Sequence, residues 1–111
     1  MIEDLKTTED ADRLLHSDTP AWVCKHSITC PISTAGHSQF EQYLADHPDH
    51  PAGLIVVQHA RDVSNHVADA TGVKHQSPQV LLVKDGRALW HASHYGITVK
   101  DMAAAYTGAT D

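Results

Sequence analysis

Cys30 and the three residues after it form the segment of the chain that is best suited to chemistry. The segment reads Cys30-Pro31-Ile32-Ser33, and proline is favoured at the first position of a helix. A thiol at a helix start lies next to unpaired backbone N–H groups and the positive end of the helix dipole, and both stabilise an anion. Cysteines in such positions react as thiolates. We therefore predict that Cys30 is a nucleophilic thiolate at neutral pH.

Ser33 stands where a dithiol oxidoreductase has its second cysteine. A hydroxyl can hydrogen-bond a thiolate but cannot attack a mixed disulfide, so an external thiol must release whatever Cys30 captures. The same residues could also begin a helix in which Cys30 is only a small apolar side chain. The strand that is predicted directly before them favours the chemical interpretation. The motif thus predicts monothiol exchange, with Cys30, Pro31 and Ser33 as the catalytic segment.

The hydrophobic pattern around this segment predicts a β-α-β unit. Residues 21–26 form a short apolar run that is typical of a strand, and helical spacing continues over residues 32–44. Residues 54–58 are a mostly apolar run of the kind that parallel sheets bury on both faces. Capping residues predict two further helices, at about residues 8–16 and 62–72, on either side of this unit.

The second part of the chain predicts a β-hairpin and a last helix. Asp85-Gly86 is a strong signal for a two-residue hairpin turn, and it separates two strand-like runs, 79–84 and 87–93. A capping pattern at Thr98 begins a helix that we expect Gly108 to end. The hairpin would therefore extend the sheet of the β-α-β unit.

This order of elements predicts an α/β protein with a four-stranded mixed sheet and helices on both faces. A right-handed βαβ crossover followed by an antiparallel hairpin is the core of the thioredoxin fold. The 111 residues contain no linker, repeat or low-complexity segment, so we expect a single domain over residues 1–111.

Ser77-Pro78 precedes the hairpin, where thioredoxin folds have a cis proline beside the active-site cysteine. We predict a cis Ser77-Pro78 bond, with Pro78 against Cys30 and the backbone before it available to pair with a substrate chain. Thr29, which directly precedes the cysteine, is assigned with Ser77 and Pro78 to substrate binding. A trans proline at a strand start is the structural alternative.

Other candidates near the motif have both chemical and structural interpretations. Cys24 lies in the middle of a strand, where a buried and inert thiol is expected, and no disulfide with Cys30 is predicted because the strand separates the two. Lys25, His26 and His75 could favour a thiolate at Cys30, although a solvated or structural role fits each of them equally well.

The ten histidines do not form a pattern that is typical of a metal site. His47 and His50 flank Pro48, and no acid or thiol completes a zinc-like set with them. His91 and His94 would point to opposite faces of a strand. We therefore expect neither a metal nor another resident cofactor.

Composition excludes several classes of function. The net charge of −6 and the lack of a basic run argue against nucleic-acid binding. The longest apolar stretch, Leu54–Val57, is far shorter than the roughly 20 residues of a membrane helix. The acidic start of the chain lacks the apolar segment of a secretory signal, and two cysteines are too few for a disulfide scaffold. A cytoplasmic location is expected.

Four segments of the chain resemble the monothiol bacilliredoxins, the bacillithiol-system proteins with a Thr-Cys-Pro-Ile-Ser motif. The resemblance extends from about Leu14 to Tyr106, and Cys24 departs from it because a larger apolar residue is expected there. It implies a thioredoxin-like fold, Cys30 as the redox thiol, bacillithiol as co-substrate and S-bacillithiolated cytosolic proteins as substrates. The similar segments are His26–Ser33, Gly72–Gln79, Lys84–Gly86 and Trp90–His94.

Two classes of function therefore stay open from the sequence. One is a thiol–disulfide oxidoreductase that acts on mixed disulfides between proteins and a low-molecular-weight thiol. The other is a redox-inert adaptor of the same fold, which binds partners through the groove at Ser77-Pro78. A thiolate at Cys30 at neutral pH would favour the enzyme, and an ordinary thiol would favour the adaptor.

Overall fold

The computed structural model describes residues 2–110, which form one five-stranded mixed sheet with helices on both faces. The strand order is β1-β3-β2-β4-β5, with parallel pairing from β1 through β3 to β2 and antiparallel pairing from β2 through β4 to β5. The strands are β1 (Ile2–Asp4), β2 (Ala21–His26), β3 (Ala52–Val56), β4 (Gln79–Lys84) and β5 (Arg87–Ser93). The helices are α1 (Thr8–Leu15), α2 (Pro31–Asp46), α3 (Arg61–Thr71) and α4 (Val99–Thr110), with a 3₁₀ turn at His94–Gly96.

The predicted crossover and hairpin are both present, but the expectation of four strands is wrong. The additional strand, β1, is only three residues long and pairs with the outer edge of β3. Its sequence, Ile2-Glu3-Asp4, has one apolar residue and so lacks the pattern of a buried strand. Leu5, which follows it, is buried, and its N–H donates to the Leu54 carbonyl at 2.8 Å. The strand forms because it pairs with β3 and because Leu5 is anchored in the core, and not because its own residues favour a strand.

Two apolar clusters, one on each face of the sheet, hold the layers together. The first joins Leu14 and Leu15 of α1 to Val63 and Val67 of α3. The second joins α2 and α4 to the opposite face. Its largest buried side chains are Trp22, Phe40, Tyr43, Leu82, Ile97 and Met102. Because residues alternate between the faces along each strand, β2 contributes to both clusters and lies at the centre of the fold.

The turns follow the predicted chemistry at most helix and strand ends. Asp85 and Gly86 both have positive φ, of 52° and 81°, as a type I′ hairpin turn requires. Gly72 ends α3 in the left-handed conformation. The expected helix end at Gly108 is wrong, because α4 continues through this residue to Thr110. The hydroxyls of Thr107 and Thr110 donate to carbonyls one turn earlier in the same helix. His94 also leaves the strand and lies in the 3₁₀ turn.

Candidate active site

Cys30 is the residue immediately before α2, at the carboxyl end of the central strand β2. Its backbone is extended, and Pro31 takes the first helical position, as predicted. Within residues 2–110 the Cys30 side chain makes no capping hydrogen bond to the helix, and the residue is partly exposed. Cys30 thus stands at the amino-terminal end of α2, the end of a helix whose dipole favours an anion.

Ser33 lies in the first turn of α2 and is fully buried. Its hydroxyl oxygen accepts the Ser27 N–H at 2.8 Å and lies 3.0 Å from Nδ1 of His26. The sequence motif suggested a hydroxyl available to Cys30, whereas the structure shows that two groups from the end of β2 already engage it. Ser33 thus ties the start of α2 to the end of β2.

His26 was one of three side chains with an open interpretation, and the structure places it beside Ser33. Its ring stacks on that of His37 from α2, with centroids 4.5 Å apart. Burial lowers the pKa of His26, and the neighbouring His37 adds to this effect. The motif alone could not reveal this contact, because it depends on how α2 packs on the end of β2.

The loop between β2 and α2 is braced by Gln58, which the sequence interpretation did not single out. Gln58 Nε2 donates to the hydroxyls of Ser27, at 2.7 Å, and Thr29, at 3.3 Å, and its Oε1 accepts the Ile28 N–H at 3.2 Å. Parallel β2 and β3 end at the same edge of the sheet, so the position just after β3 was the available signal. Thr29 is therefore engaged within the loop and remains partly available at the surface.

Ser77-Pro78 is cis, as predicted, and Pro78 packs on the side of α2 at Gly36, while its predicted contact with Cys30 stays a prediction. A Cβ atom on Gly36 would lie 3.2 Å from Cβ of Pro78, so the helix and the proline are in close contact. The Pro78 carbonyl accepts the His94 N–H at 3.1 Å, which brings the 3₁₀ turn to the same place. The Ser77 hydroxyl oxygen is buried and has no hydrogen-bond partner within residues 2–110.

Two large apolar side chains are exposed near these segments. Ile28, two residues before Cys30, is 52% exposed, and Tyr95, which follows His94 in the 3₁₀ turn, is 76% exposed. Large apolar side chains on a surface often mark contacts with a partner molecule. Their positions provide apolar contacts on the loop before the thiol and on the turn beside Pro78.

Lys25 and His75 do not join this site but form a network on the other face of the sheet. Lys25 is fully buried, and its Nζ donates to the Ser64 carbonyl at 3.0 Å and lies 3.3 Å from Nδ1 of His75. The Ser64 hydroxyl also contacts this nitrogen, at 3.0 Å. Burial lowers the pKa of Lys25 to about 8. The network fastens α3 and the segment before Ser77 to β2.

Cys24 is completely buried in the cluster beneath α2 and α4. Burial raises the pKa of its thiol, which keeps it protonated. Both cysteines are free, in agreement with the prediction that they form no disulfide. Of the two thiols, Cys30 is the one that a reagent can reach.

No helix in the described part of the chain, residues 2–110, combines the length and hydrophobicity that crossing a membrane requires.

Comparison with known proteins identifies the family. A family profile described as monothiol bacilliredoxin BrxC matches residues 3–102. A solved structure of a proposed oxidoreductase with a thioredoxin fold has 33% sequence identity and a TM-score of 0.86, covering 94% of this chain and 92% of that one. Thioredoxins from Fasciola hepatica and Trypanosoma brucei brucei share only the fold. Their identities are 14% and 11% and their TM-scores 0.76 and 0.78. The first match covers 97% of this chain and 99% of that one, and the second covers 97% and 89%. The chain thus belongs to the monothiol bacilliredoxin family, which consists of thiol oxidoreductases with the thioredoxin fold.

Proposed function

We propose that this protein removes bacillithiol from mixed disulfides on cytoplasmic proteins by monothiol exchange at Cys30. The observation that carries the proposal is that a partly exposed thiol stands at the start of α2, while the second cysteine is buried. Membership of the bacilliredoxin family supports bacillithiol as the thiol that is transferred. Neither a metal nor a resident cofactor is required for this exchange.

The exchange is a substitution at sulfur. Cys30 first loses its proton to solvent, and the thiolate attacks the bacillithiol sulfur of the mixed disulfide. A new bond forms between the two sulfurs as the bond to the substrate protein breaks, and the substrate cysteine leaves as a thiolate that takes up a proton. A free low-molecular-weight thiol then attacks the adduct on Cys30 and restores the enzyme.

The second step needs an external thiol because the chain has no suitable internal one. Ser33 provides a hydroxyl in place of a resolving thiol, and that hydroxyl is held by Ser27 and His26. Cys24 is sequestered in the core. The captured bacillithiol therefore stays on Cys30 until another thiol arrives, which makes the adduct a stable species to detect.

Exposed groups around the thiol support a protein as the first substrate. Ile28 offers apolar contact on the loop before the thiol, Tyr95 does so on the 3₁₀ turn that bonds Pro78, and Thr29 offers a hydroxyl next to Cys30 in the chain. The backbone before Pro78 would pair with an extended segment of the substrate, in the manner of an added strand. These contacts would recognise the surroundings of the modified cysteine rather than one particular sequence.

The test follows one S-bacillithiolated protein and the same protein carrying glutathione by intact-protein mass spectrometry. Without added thiol, we expect one bacillithiol to move to wild-type protein and to map to Cys30. Cys30→Ser should accept none. The matched control, Cys24→Ala, removes the other thiol and should transfer at the wild-type rate.

A different distribution of the label would contradict the proposal. Equal loss in both variants, or a label on Cys24, would indicate a dithiol mechanism. Binding of the substrate without any transfer would indicate the redox-inert adaptor instead. Faster transfer of glutathione than of bacillithiol would overturn the assignment of the thiol while leaving the monothiol mechanism intact.

A further inference from the structure

The Ser33 hydroxyl has one hydrogen and two lone pairs, and its neighbours restrict where that hydrogen points. One lone pair of Oγ accepts the Ser27 N–H at 2.8 Å. The other contact is with Nδ1 of His26 at 3.0 Å, a nitrogen that donates or accepts according to the position of the ring proton. The state of this nitrogen therefore determines the direction of the hydroxyl hydrogen.

The two states of His26 have opposite effects. When Nδ1 carries no proton, it accepts a hydrogen bond, and the Ser33 hydrogen points to the imidazole. When Nδ1 carries a proton, it donates to Oγ, and both lone pairs of the hydroxyl are used. The hydroxyl hydrogen then has to find an acceptor elsewhere, because Ser33 is fully buried and has no access to water.

We take Cys30 as that acceptor, because it stands three residues before Ser33 at the start of α2. Cys30 is the N-cap of α2, and Ser33 is the third helical residue. Residues three positions apart in a helical turn are neighbours on its surface, which places the two side chains in the same turn. A thiolate at Cys30 would be a strong acceptor for a buried hydroxyl, whereas a protonated thiol would be a weak one.

We propose that His26 is a positioning residue, whose Nδ1 proton turns the Ser33 hydroxyl towards the Cys30 thiolate. The inference rests on the proposed function only in taking Cys30 as the reacting thiol. In the resting protein the hydroxyl bonds the bare Nδ1 of His26. When Cys30 releases its proton to solvent, the imidazole carries its hydrogen on Nδ1, by exchange of ring protons with water, and the hydroxyl donates to the sulfur.

The surroundings of His26 favour a neutral imidazole that changes tautomer over an imidazole that takes up a second proton and becomes charged. His37 stacks on it from α2, and Nδ1 of His37 lies 3.7 Å from a Glu41 carboxylate oxygen. Burial and His37 lower the pKa of His26, and the weaker influence of Glu41 opposes them. A neutral ring can move its proton between nitrogens without a buried charge. The coupling is reciprocal, so the thiolate favours the Nδ1–H form as much as that form favours the thiolate.

The test measures the rate of Cys30 alkylation by iodoacetamide against pH in a Cys24→Ala background. His26→Phe keeps a ring that can stack on His37, and Ser33→Ala removes the hydroxyl. Each should reduce the thiolate fraction at pH 7 by about threefold to tenfold, the equivalent of one lost hydrogen bond of typical net strength. The double variant should be no worse than Ser33→Ala alone, since His26 acts through the hydroxyl. His26→Asn, which retains an N–H donor, should restore much of the reactivity.

Additive losses in the double variant, or unchanged alkylation in both single variants, would overturn the inference. If His26→Phe does not fold, nitrogen NMR of the imidazole in wild-type protein gives a second test. The thiolate form should carry its proton on Nδ1, and the form alkylated at Cys30 should not. The same tautomer in both forms would contradict the mechanism. Neither measurement uses a disulfide substrate, so failure of the proposed function would leave these results unaffected.

Discussion

At the scale of single residues, the proposed chemistry depends on Ser33, the residue three positions after Cys30. Ser33 is buried, and its hydroxyl bridges the end of β2 to the first turn of α2. Serine at this position therefore matters in two ways: it provides no second thiol, and its hydroxyl joins two elements of the structure. Any replacement changes the packing of this bridge as well as the reaction.

We predict that Ser33→Cys allows the protein to release captured bacillithiol without an external thiol. The substitution creates the Cys-x-x-Cys spacing, in which the second thiol attacks the adduct on the first. Intact-protein mass spectrometry should show loss of the adduct and formation of an internal disulfide. Ser33→Ala, which removes the same hydroxyl but adds no thiol, is the control and should retain the adduct. Persistence of the adduct in Ser33→Cys would contradict the prediction.

Residue types near the motif were informative only where the local chain determines the environment. Cys30 and Pro31 could be placed at a helix start, and Cys24 in a buried strand, because pattern and turn residues suffice for that. The partners of Ser33 could not be predicted, since the bond to His26 joins two elements whose packing is a tertiary property. Gln58 was missed for the same reason, because it crosses from the end of β3 to the neighbouring loop.

At the scale of the elements, two glycines have opposite environments and should respond oppositely to a methyl group. Gly53 lies in β3, where an added Cβ would come within 2.6 Å of side chains of Leu5 and Leu14. Gly108 lies in α4 with nothing within 4 Å of such an atom. The first site has no room for growth, and the second is open.

We predict that Gly53→Ala lowers the free energy of unfolding by about 1–3 kcal/mol through overpacking. Gly108→Ala should raise it by about 0.5–1 kcal/mol, because alanine is the better helix former. Urea denaturation followed by circular dichroism measures both changes. An equal effect of the two substitutions would show that α4 is not helical at Gly108, or that β3 can move away from Leu5 and Leu14.

Elements with a strong periodic pattern were predicted within a few residues, and the two misses concern weak local signals. β1 contains one apolar residue, and it forms because the edge of β3 is available for pairing. Gly108 alone predicts a helix end, but the helix continues past it and the residue does not adopt a positive φ. In both places neighbouring structure prevails over intrinsic preference.

At the scale of the whole molecule, several histidines are held neutral by the fold. Burial is the main cause that lowers the pKa of His26, His50 and His75. His50 accepts a hydrogen bond from Trp22 Nε1 at 3.2 Å and stacks on Tyr106 of α4, with ring centroids 3.9 Å apart. Protonation of its Nδ1 would remove the acceptor that Trp22 uses.

We predict that the protein loses stability as the pH falls from 7 to 5. The unfolded chain has ordinary histidines, which take up protons below about pH 6.5 before the folded protein does. Above that pH the histidines are neutral in both states and contribute nothing to the difference. Urea denaturation at pH 7, 6 and 5, with a constant m-value, should give a decreasing free energy of unfolding. A flat or rising profile would show that these rings are not held neutral.

The contact between Pro78 and Gly36 also determines when the thiol acquires its surroundings. Cys30 leaves the ribosome well before Pro78 and His94, so a growing chain carries the cysteine while the wall beside it has not yet been synthesised. The helix start, the loop and the proline segment meet only when the hairpin has joined β2, late in the chain. An unfinished chain therefore carries the Cys30 thiol without the cis-proline segment that packs beside α2 in the completed fold.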